Sequence, residues 1–135
     1  MCSSDLEDIF VAPSGFPGIE TSMPLMLTAV KENKISINRA VELLSTNPSK
    51  IFGIYPKKGT ISPGADADLV LVDLDEAYTI HRSEMFTKAR DVAKVYEGKR
   101  VYGKIKKTIL RGKVIYDNGQ VLAKPGYGQW VTPVK

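Results

Sequence analysis

The spacing of hydrophobic residues changes from a helical to a strand-like period near residue 59. From Pro24 to about Asn33, and again after Ser36, apolar residues recur every three or four positions, which predicts two amphipathic helices. Pro24 suits a first helical turn and Ser36 an N-cap, while Asn47-Pro48 predicts the start of a third, short helix that ends near Gly53. The expected buried positions are Met26, Leu27, Ala29 and Val30 in the first helix and Ile37, Ala40, Val41 and Leu44 in the second.

The residues after 59 favour strands and tight turns. The predicted strands are Leu69 to Val72, Tyr78 to His81, Gly103 to Leu110, Val114 to Tyr116 and Gln120 to Leu122. The first consists of four consecutive apolar residues, which predicts a strand covered on both faces. Pro63-Gly64 predicts a type II turn, and Arg111-Gly112 and Asn118-Gly119 predict hairpin reversals. Residues 83–98 predict a helical or irregular connection.

Helices followed by strands predict an α+β fold or parts of two domains. The expected division is residues 1–58 with the helices, 59–123 with the strands, and 124–135 as an extended tail. Each of the two main parts has about 60 to 75 residues, which is marginal for an independent core. The two parts therefore either pack on each other or depend on additional chain.

The composition is that of a globular protein, with 43% hydrophobic and 25% charged residues and a net charge of +4. The apolar runs are too short for a transmembrane helix, and the beginning of the sequence lacks a signal-peptide pattern, so we expect no membrane association and a cytoplasmic location. A single cysteine, Cys2, cannot form an internal disulfide.

Basic residues gather between residues 99 and 113, and such a cluster can bind phosphates. Its members are Lys99, Arg100, Lys104, Lys106, Lys107, Arg111 and Lys113. No recognised nucleic-acid motif surrounds them, and polar and apolar residues alternate from Lys104 to Ile109 as they do along a strand. We therefore expect a lysine-rich strand face that protects a sheet edge, with a basic nucleic-acid-binding module as the remaining alternative.

The residues that would support catalysis are few. A hydrolytic zinc site usually takes three protein ligands, and the chain has one histidine, His81, outside any His-x-His pattern. Asp66 and Asp68 flank Ala67 before a strand, which is more typical of solvated strand-entry carboxylates and turn caps than of a metal site. Ser14 lacks the Gly-x-Ser-x-Gly pattern of a nucleophile elbow. We predict no metal ligand in this chain.

Three segments in order resemble the C-terminal end of dihydroorotases of the long, bacterial and archaeal kind, within the cyclic amidohydrolases. They are residues 12–21 (APSGFPGIET), 47–53 (NPSKIFG) and 59–72 (GTISPGADADLVLV), and residues 103–119 are similar to the closing hairpin of that family. The resemblance covers about residues 12 to 123. It implies an α+β fragment that holds the closing helices of a (β/α)₈ barrel, followed by the C-terminal strands of a composite β-sandwich.

The resemblance also implies an activity, namely zinc-dependent, reversible hydrolysis of dihydroorotate to carbamoyl aspartate in pyrimidine synthesis. The earlier barrel strands that carry the zinc ligands are absent, so we expect this chain to be inactive alone and to hold no zinc. Asp5 matches the place of the proton-carrying aspartate, although Leu6 stands where the family has histidine. The backbone of Ser14 and Gly15 would contact the pyrimidine ring. We expect a small-molecule substrate only in a completed barrel.

A non-catalytic role is the alternative. In it, the chain binds a complete amidohydrolase subunit or associates with itself, because helix faces that normally pack on the barrel would be exposed.

Overall fold

The computed structural model describes residues 15–133, which form helices followed by a four-stranded antiparallel sheet. Helix α1 spans Ile19–Lys31, α2 spans Ile37–Val41, a π-helical turn spans Glu42–Thr46, and α3 spans Asn47–Ile51. The strands are β1 (Leu69–Thr79), β2 (Arg100–Leu110), β3 (Lys113–Asp117) and β4 (Gln120–Val121), and two 3₁₀ segments, Arg82–Glu84 and Arg90–Tyr96, lie between β1 and β2. The α+β prediction is confirmed.

Of the predicted helix starts, the one at Ser36 is right and the one at Pro24 is wrong, while the third helix begins at Asn47 as predicted but without the predicted cap. Ser36 caps α2, where its hydroxyl accepts a hydrogen bond of 3.1 Å from the Arg39 N–H. Pro24 lies inside α1 and not in its first turn. Asn47 is helical and caps nothing, because α2 continues through the π-helical turn into α3. The wider π-helical turn precedes Pro48, which has no N–H to donate to a regular α-helical bond.

The sheet is a meander in the order β1-β2-β3-β4. The two strands predicted at Leu69 to Val72 and Tyr78 to His81 are one continuous strand, β1. Its pairing with β2 shifts register between Asp73 and Ala77, where the bulge inserts residues that interrupt the alternation on which the sequence pattern depends.

The predicted turns are confirmed. Arg111 and Gly112 have φ of 47° and 77°, and Asn118 and Gly119 have 43° and 94°, so both hairpins use the left-handed backbone that such reversals require. At Pro63-Gly64, the Ala65 N–H donates to the Ser62 carbonyl at 3.0 Å and Gly64 has a φ of 91°, as a type II turn demands.

The buried core is small and lies between the sheet and the β1–β2 connection. It consists of Ile80, Met85, Ala93 and Val101, with Leu25, Tyr78 and Tyr96 packed against it. In α1, Leu27 is buried as predicted, whereas Met26, Ala29 and Val30 are only half-buried. The fully buried stripe of α1 is Thr21, Pro24 and Leu27.

Helix α1 packs on β2 at close range. A Cβ on Gly103, which has a φ of 85°, would lie 2.5 Å from the Leu27 Cβ, so only glycine fits there. One residue away, the Thr28 hydroxyl accepts a 2.9 Å hydrogen bond from the Tyr102 N–H and donates to the Pro24 carbonyl at 2.8 Å. The close contact of Leu27 with Gly103 and the hydrogen bond between Thr28 and Tyr102 thus connect α1 to β2, and we call these two contacts the α1–β2 joint.

Other apolar surfaces remain open. Val70 and Leu71 in β1 are 42% and 45% exposed, so the prediction that this strand is covered on both faces is wrong for the chain as described. In the helices, Ala40 is buried as predicted, but Ile37 and Val41 are exposed. Among the described helices, none is long and apolar enough to cross a membrane.

Candidate functional site

The loop that precedes α1 is the one predicted site element that the structure describes in part. Asp5 and Ser14 lie outside the described residues, and Gly15 begins them. Gly15 is exposed, and a Cβ there would meet no atom within 4 Å. Its backbone is therefore accessible to a ligand, and its role in binding stays a prediction.

The first turn of α1 fixes the end of this loop. The Gly18 carbonyl accepts a hydrogen bond from the Ser22 N–H at 2.9 Å and another from the Thr21 hydroxyl at 3.3 Å, and the Ser22 hydroxyl also donates to it. Thr21 is only 3% exposed. Three donors of the first turn thus bind the Gly18 carbonyl and fix the direction in which the chain enters α1.

Glu20 connects the same turn by hydrogen bonds to a segment that is distant in sequence. Its carboxylate accepts from the Phe86 N–H at 3.0 and 3.1 Å and from the Thr87 N–H at 3.1 Å. No local sequence pattern predicts these contacts, because the partners of Glu20 are 66 and 67 residues away and are backbone groups. Glu20 precedes the helix that the pattern predicted from Pro24, and only the structure places it in the first turn of α1.

An open cleft of about 500 Å³ lies between the helices and β1. One wall carries apolar residues of α1 and the following helices, the other carries apolar residues of β1, and Lys58, Asp66 and Asp68 line one part of it. The principal apolar lining residues are Met23, Leu27, Ile37, Val41, Leu44, Leu69, Val70 and Val72. Most of the cleft surface is therefore suited to apolar contact.

Asp66 and Asp68 are ion-paired through Lys58. The Lys58 ammonium lies 2.8 Å from Asp66 and also contacts Asp68, whose second oxygen accepts from the Arg111 N–H at 2.8 Å. The hydrogen bond from Lys58 lowers the pKa of Asp66. Partial burial lowers the pKa of Lys58, but its hydrogen bonds to Asp66 and Asp68 outweigh this and raise that pKa overall. These carboxylates are half-buried partners of a cation, more constrained than the solvated residues expected.

The described residues do not fit the zinc that the family resemblance implies. Within residues 15–133, no group of three or more His, Cys, Asp and Glu side chains is placed to hold a metal ion. The ammonium of Lys58 already occupies the space between Asp66 and Asp68, and a metal cation there would meet its charge. We derive no reaction step through a metal from these residues.

His81 contacts Glu97 on the surface. The distance from His81 Nδ1 to Glu97 Oε1 is 3.3 Å, and the Arg82 N–H donates to the other oxygen at 2.9 Å. The backbone hydrogen bond from Arg82, and then the one from His81, lower the pKa of Glu97. This is an exposed strand-end histidine, as the sequence analysis favoured.

The basic cluster is partly neutralised within the sheet. Lys104 lies 3.0 Å from Glu76, Lys106 contacts the same carboxylate, and Lys107 lies 2.8 Å from Asp117. These pairs reduce the positive charge that this face offers to a polyanion.

The comparisons with known proteins agree with one another. The model of the Amidohydrolase family matches residues 14–115. L-hydantoinase from Paenarthrobacter aurescens is 39% identical over 93% of this chain and 27% of its own length, and dihydroorotase from Pyrococcus furiosus is 42% identical over 89% of this chain and 28% of its own. A solved D-hydantoinase structure matches with a TM-score of 0.83 and 39% identity over 92% of this chain and 27% of that one. The chain thus spans about a quarter of the length of these relatives.

Proposed function

Because the chain belongs to the amidohydrolase family, we propose that it is the C-terminal part of a cyclic-amide hydrolase of the hydantoinase and dihydroorotase kind. One observation carries this proposal. Nearly the whole chain, 92%, matches 27% of a D-hydantoinase with a TM-score of 0.83, so it corresponds to one contiguous share of a larger enzyme body.

Within this class, we propose dihydroorotate as the substrate of the completed enzyme, which would interconvert it with carbamoyl aspartate. The loop at residues 12–21 supports this choice, and so does the 42% identity to the Pyrococcus dihydroorotase. The hydantoinases from Paenarthrobacter aurescens and Rhizobium radiobacter are 39% and 41% identical and support a hydantoin as the rival substrate. Both substrates present a ring amide, so the shared chemistry is hydrolysis of a cyclic amide.

In this proposal the chain contributes binding and not metal chemistry. The backbone of Ser14 and that of the exposed Gly15 would lie against the substrate ring, where peptide N–H and C=O groups can pair with a cyclic amide. The zinc that activates water would be held by other residues of the completed enzyme. We therefore expect the isolated chain to hydrolyse neither substrate.

A pair of chimeras tests this function. The 135-residue chain replaces the matching quarter of the Pyrococcus dihydroorotase in one and of the Paenarthrobacter L-hydantoinase in the other, and each is assayed on dihydroorotate and on a hydantoin. The parent enzymes and the isolated chain serve as controls. We expect activity in at least the dihydroorotase chimera. Folded, zinc-loaded chimeras that act on neither substrate, or hydrolysis by the isolated chain that is lost on chelation, would contradict the proposal.

A second candidate function, association without catalysis, is favoured by the exposed apolar side chains. Ile19 and Ile61 are 99% and 88% exposed, and Ile51 and Phe52 at the end of α3 are 79% and 70% exposed. Side chains of this size are usually covered by a partner when they cluster. Light scattering across a concentration series tests it, because a monomer at every concentration and in a mixture with a complete amidohydrolase would exclude it.

A further inference from the structure

The Glu20 carboxylate joins two segments that are otherwise far apart in the chain. It accepts three hydrogen-bond contacts from the backbone N–H groups of Phe86 and Thr87, at 3.0 to 3.1 Å. These two residues lie in the β1–β2 connection next to Met85, which is buried in the core at 6% exposure. Hydrogen bonds from N–H donors to an ionised carboxylate are stronger than those between neutral groups. The first turn of α1 is therefore hydrogen-bonded to a segment of the β1–β2 connection that is anchored in the core by Met85.

The loop with Gly15 is connected to the same turn. Only residues 16–19 separate Gly15 from Glu20, and the carbonyl of Gly18 is bound by the Ser22 N–H at 2.9 Å. Gly15 itself has open surroundings, and Phe16 is 61% exposed. What fixes the direction of this loop is thus the first turn of α1 and not packing around the loop.

The rest of α1 has its own attachment to the sheet. Thr28 accepts from the Tyr102 N–H at 2.9 Å, and Leu27 packs directly over Gly103. Loss of the Glu20 contacts would release the first turn while this second joint still holds the helix. A variant at position 20 should therefore fold and differ locally.

We propose that Glu20 is a positioning residue that aims the Gly15 loop, through the first turn of α1, by its bonds to Phe86 and Thr87. The catalytic consequence rests on the proposed function, because it requires that the loop contact the substrate. The mechanical part does not, since it concerns only contacts within this chain. Positioning groups far from the reacting atoms can change rates by about 100-fold when a displacement of about 1 Å results.

The mechanical part is tested by nuclear magnetic resonance on the 135-residue chain. Glu20→Ala should speed amide exchange of Ser22, Phe86 and Thr87 by about 10- to 100-fold, the range expected for a lost hydrogen bond to a charged group. It should also lower the ¹⁵N order parameters of Phe16 and Gly18. Glu20→Gln, whose side-chain carbonyl still accepts from these N–H groups, should restore most of both values.

The matched control is Glu32→Ala, at the other end of α1, where the carboxylate forms an ion pair with exposed Lys34 at 2.6 Å. It should change neither measurement at the loop. Faster exchange at Phe86 and Thr87 with unchanged order parameters at Phe16 and Gly18 would overturn the proposal, because Glu20 would then stabilise the connection without aiming the loop.

The same variants in the dihydroorotase chimera test the catalytic consequence. Glu20→Ala should raise KM by about tenfold or more with a smaller change in kcat, and Glu20→Gln should recover it. A fall in the amount of folded enzyme with unchanged KM would overturn this part. If the unsubstituted chimera is folded, zinc-loaded and inactive, the proposed function fails, and the resonance measurements still decide the positioning role.

Discussion

The joint between α1 and β2 predicts that Gly103→Ala is strongly destabilising. Two independent costs arise. At a φ of 85°, an L-residue adopts left-handed backbone, which costs about 1–2 kcal/mol. The new Cβ would lie 2.5 Å from the Leu27 Cβ, and overpacking of this kind costs about 1–3 kcal/mol. The sum, about 2–5 kcal/mol, is a large share of the stability of a small domain, which is typically about 5–15 kcal/mol.

The clash cannot be relieved by a rotamer change, because a Cβ is fixed to the backbone of α1. Gly112→Ala is the matched control, since Gly112 has a similar φ of 77° but open space where its Cβ would be. Urea unfolding followed by circular dichroism should show that Gly103→Ala costs about 1–3 kcal/mol more than Gly112→Ala. Equal losses in the two variants would refute the close approach of α1 to β2.

Three further predictions concern hydrogen bonds and charges. Thr28→Val should destabilise the chain by about 1–3 kcal/mol in urea unfolding, because the Tyr102 N–H loses its acceptor at a half-buried site. Because Lys58 depresses the pKa of Asp66, the stability from this pair is present above about pH 4 and is lost as pH falls through the lower folded value, so Lys58→Met should flatten the acid limb of a stability profile. Tyr127→Ala should cost about 1–2 kcal/mol by thermal unfolding, since two cations stack on its ring.

Each of these has a control in the same chain. Thr28→Ser keeps the hydroxyl and should retain most of the lost stability. Lys88→Met removes an exposed lysine of the β1–β2 connection and should leave the acid limb unchanged. Trp130→Ala removes an aromatic ring that is 92% exposed and should change stability by no more than about 0.5 kcal/mol. A control that behaves like its test variant would contradict the corresponding contact.

The features that sequence predicted well depend on neighbouring residues. The reversal at Asn118-Gly119 follows from two residues that tolerate positive φ, and the Ser36 cap follows from a hydroxyl three positions before the N–H that it accepts from. The cap predicted at Asn47 failed, although the short helix is present, because the chain enters α3 from a π-helical turn and not from a loop, and that turn also accommodates Pro48. Local chemistry alone does not choose between these two solutions.

The contacts that define the candidate site are not local, and no pattern revealed them. Glu20 binds N–H groups 66 and 67 residues away, and Gly103 is required by a helix that precedes it by more than 70 residues. The ion pairs of Lys58 with Asp66 and Asp68 were likewise not visible in the pattern, since Lys58 lies eight and ten residues before them. Such pairings follow from the packing of α1 and β1 on β2, which the sequence pattern does not specify.

Several positions where predicted burial fails line one cleft. Ile37, Val41 and Val70 have the spacing of buried residues, yet all three are at least 40% exposed and line the same cleft. Val101, in the cluster between the sheet and the β1–β2 connection, is by contrast fully buried. Exposed apolar residues with the spacing of buried ones favour a chain whose cleft face contacts further protein, which agrees with the proposal that it is one share of an amidohydrolase body.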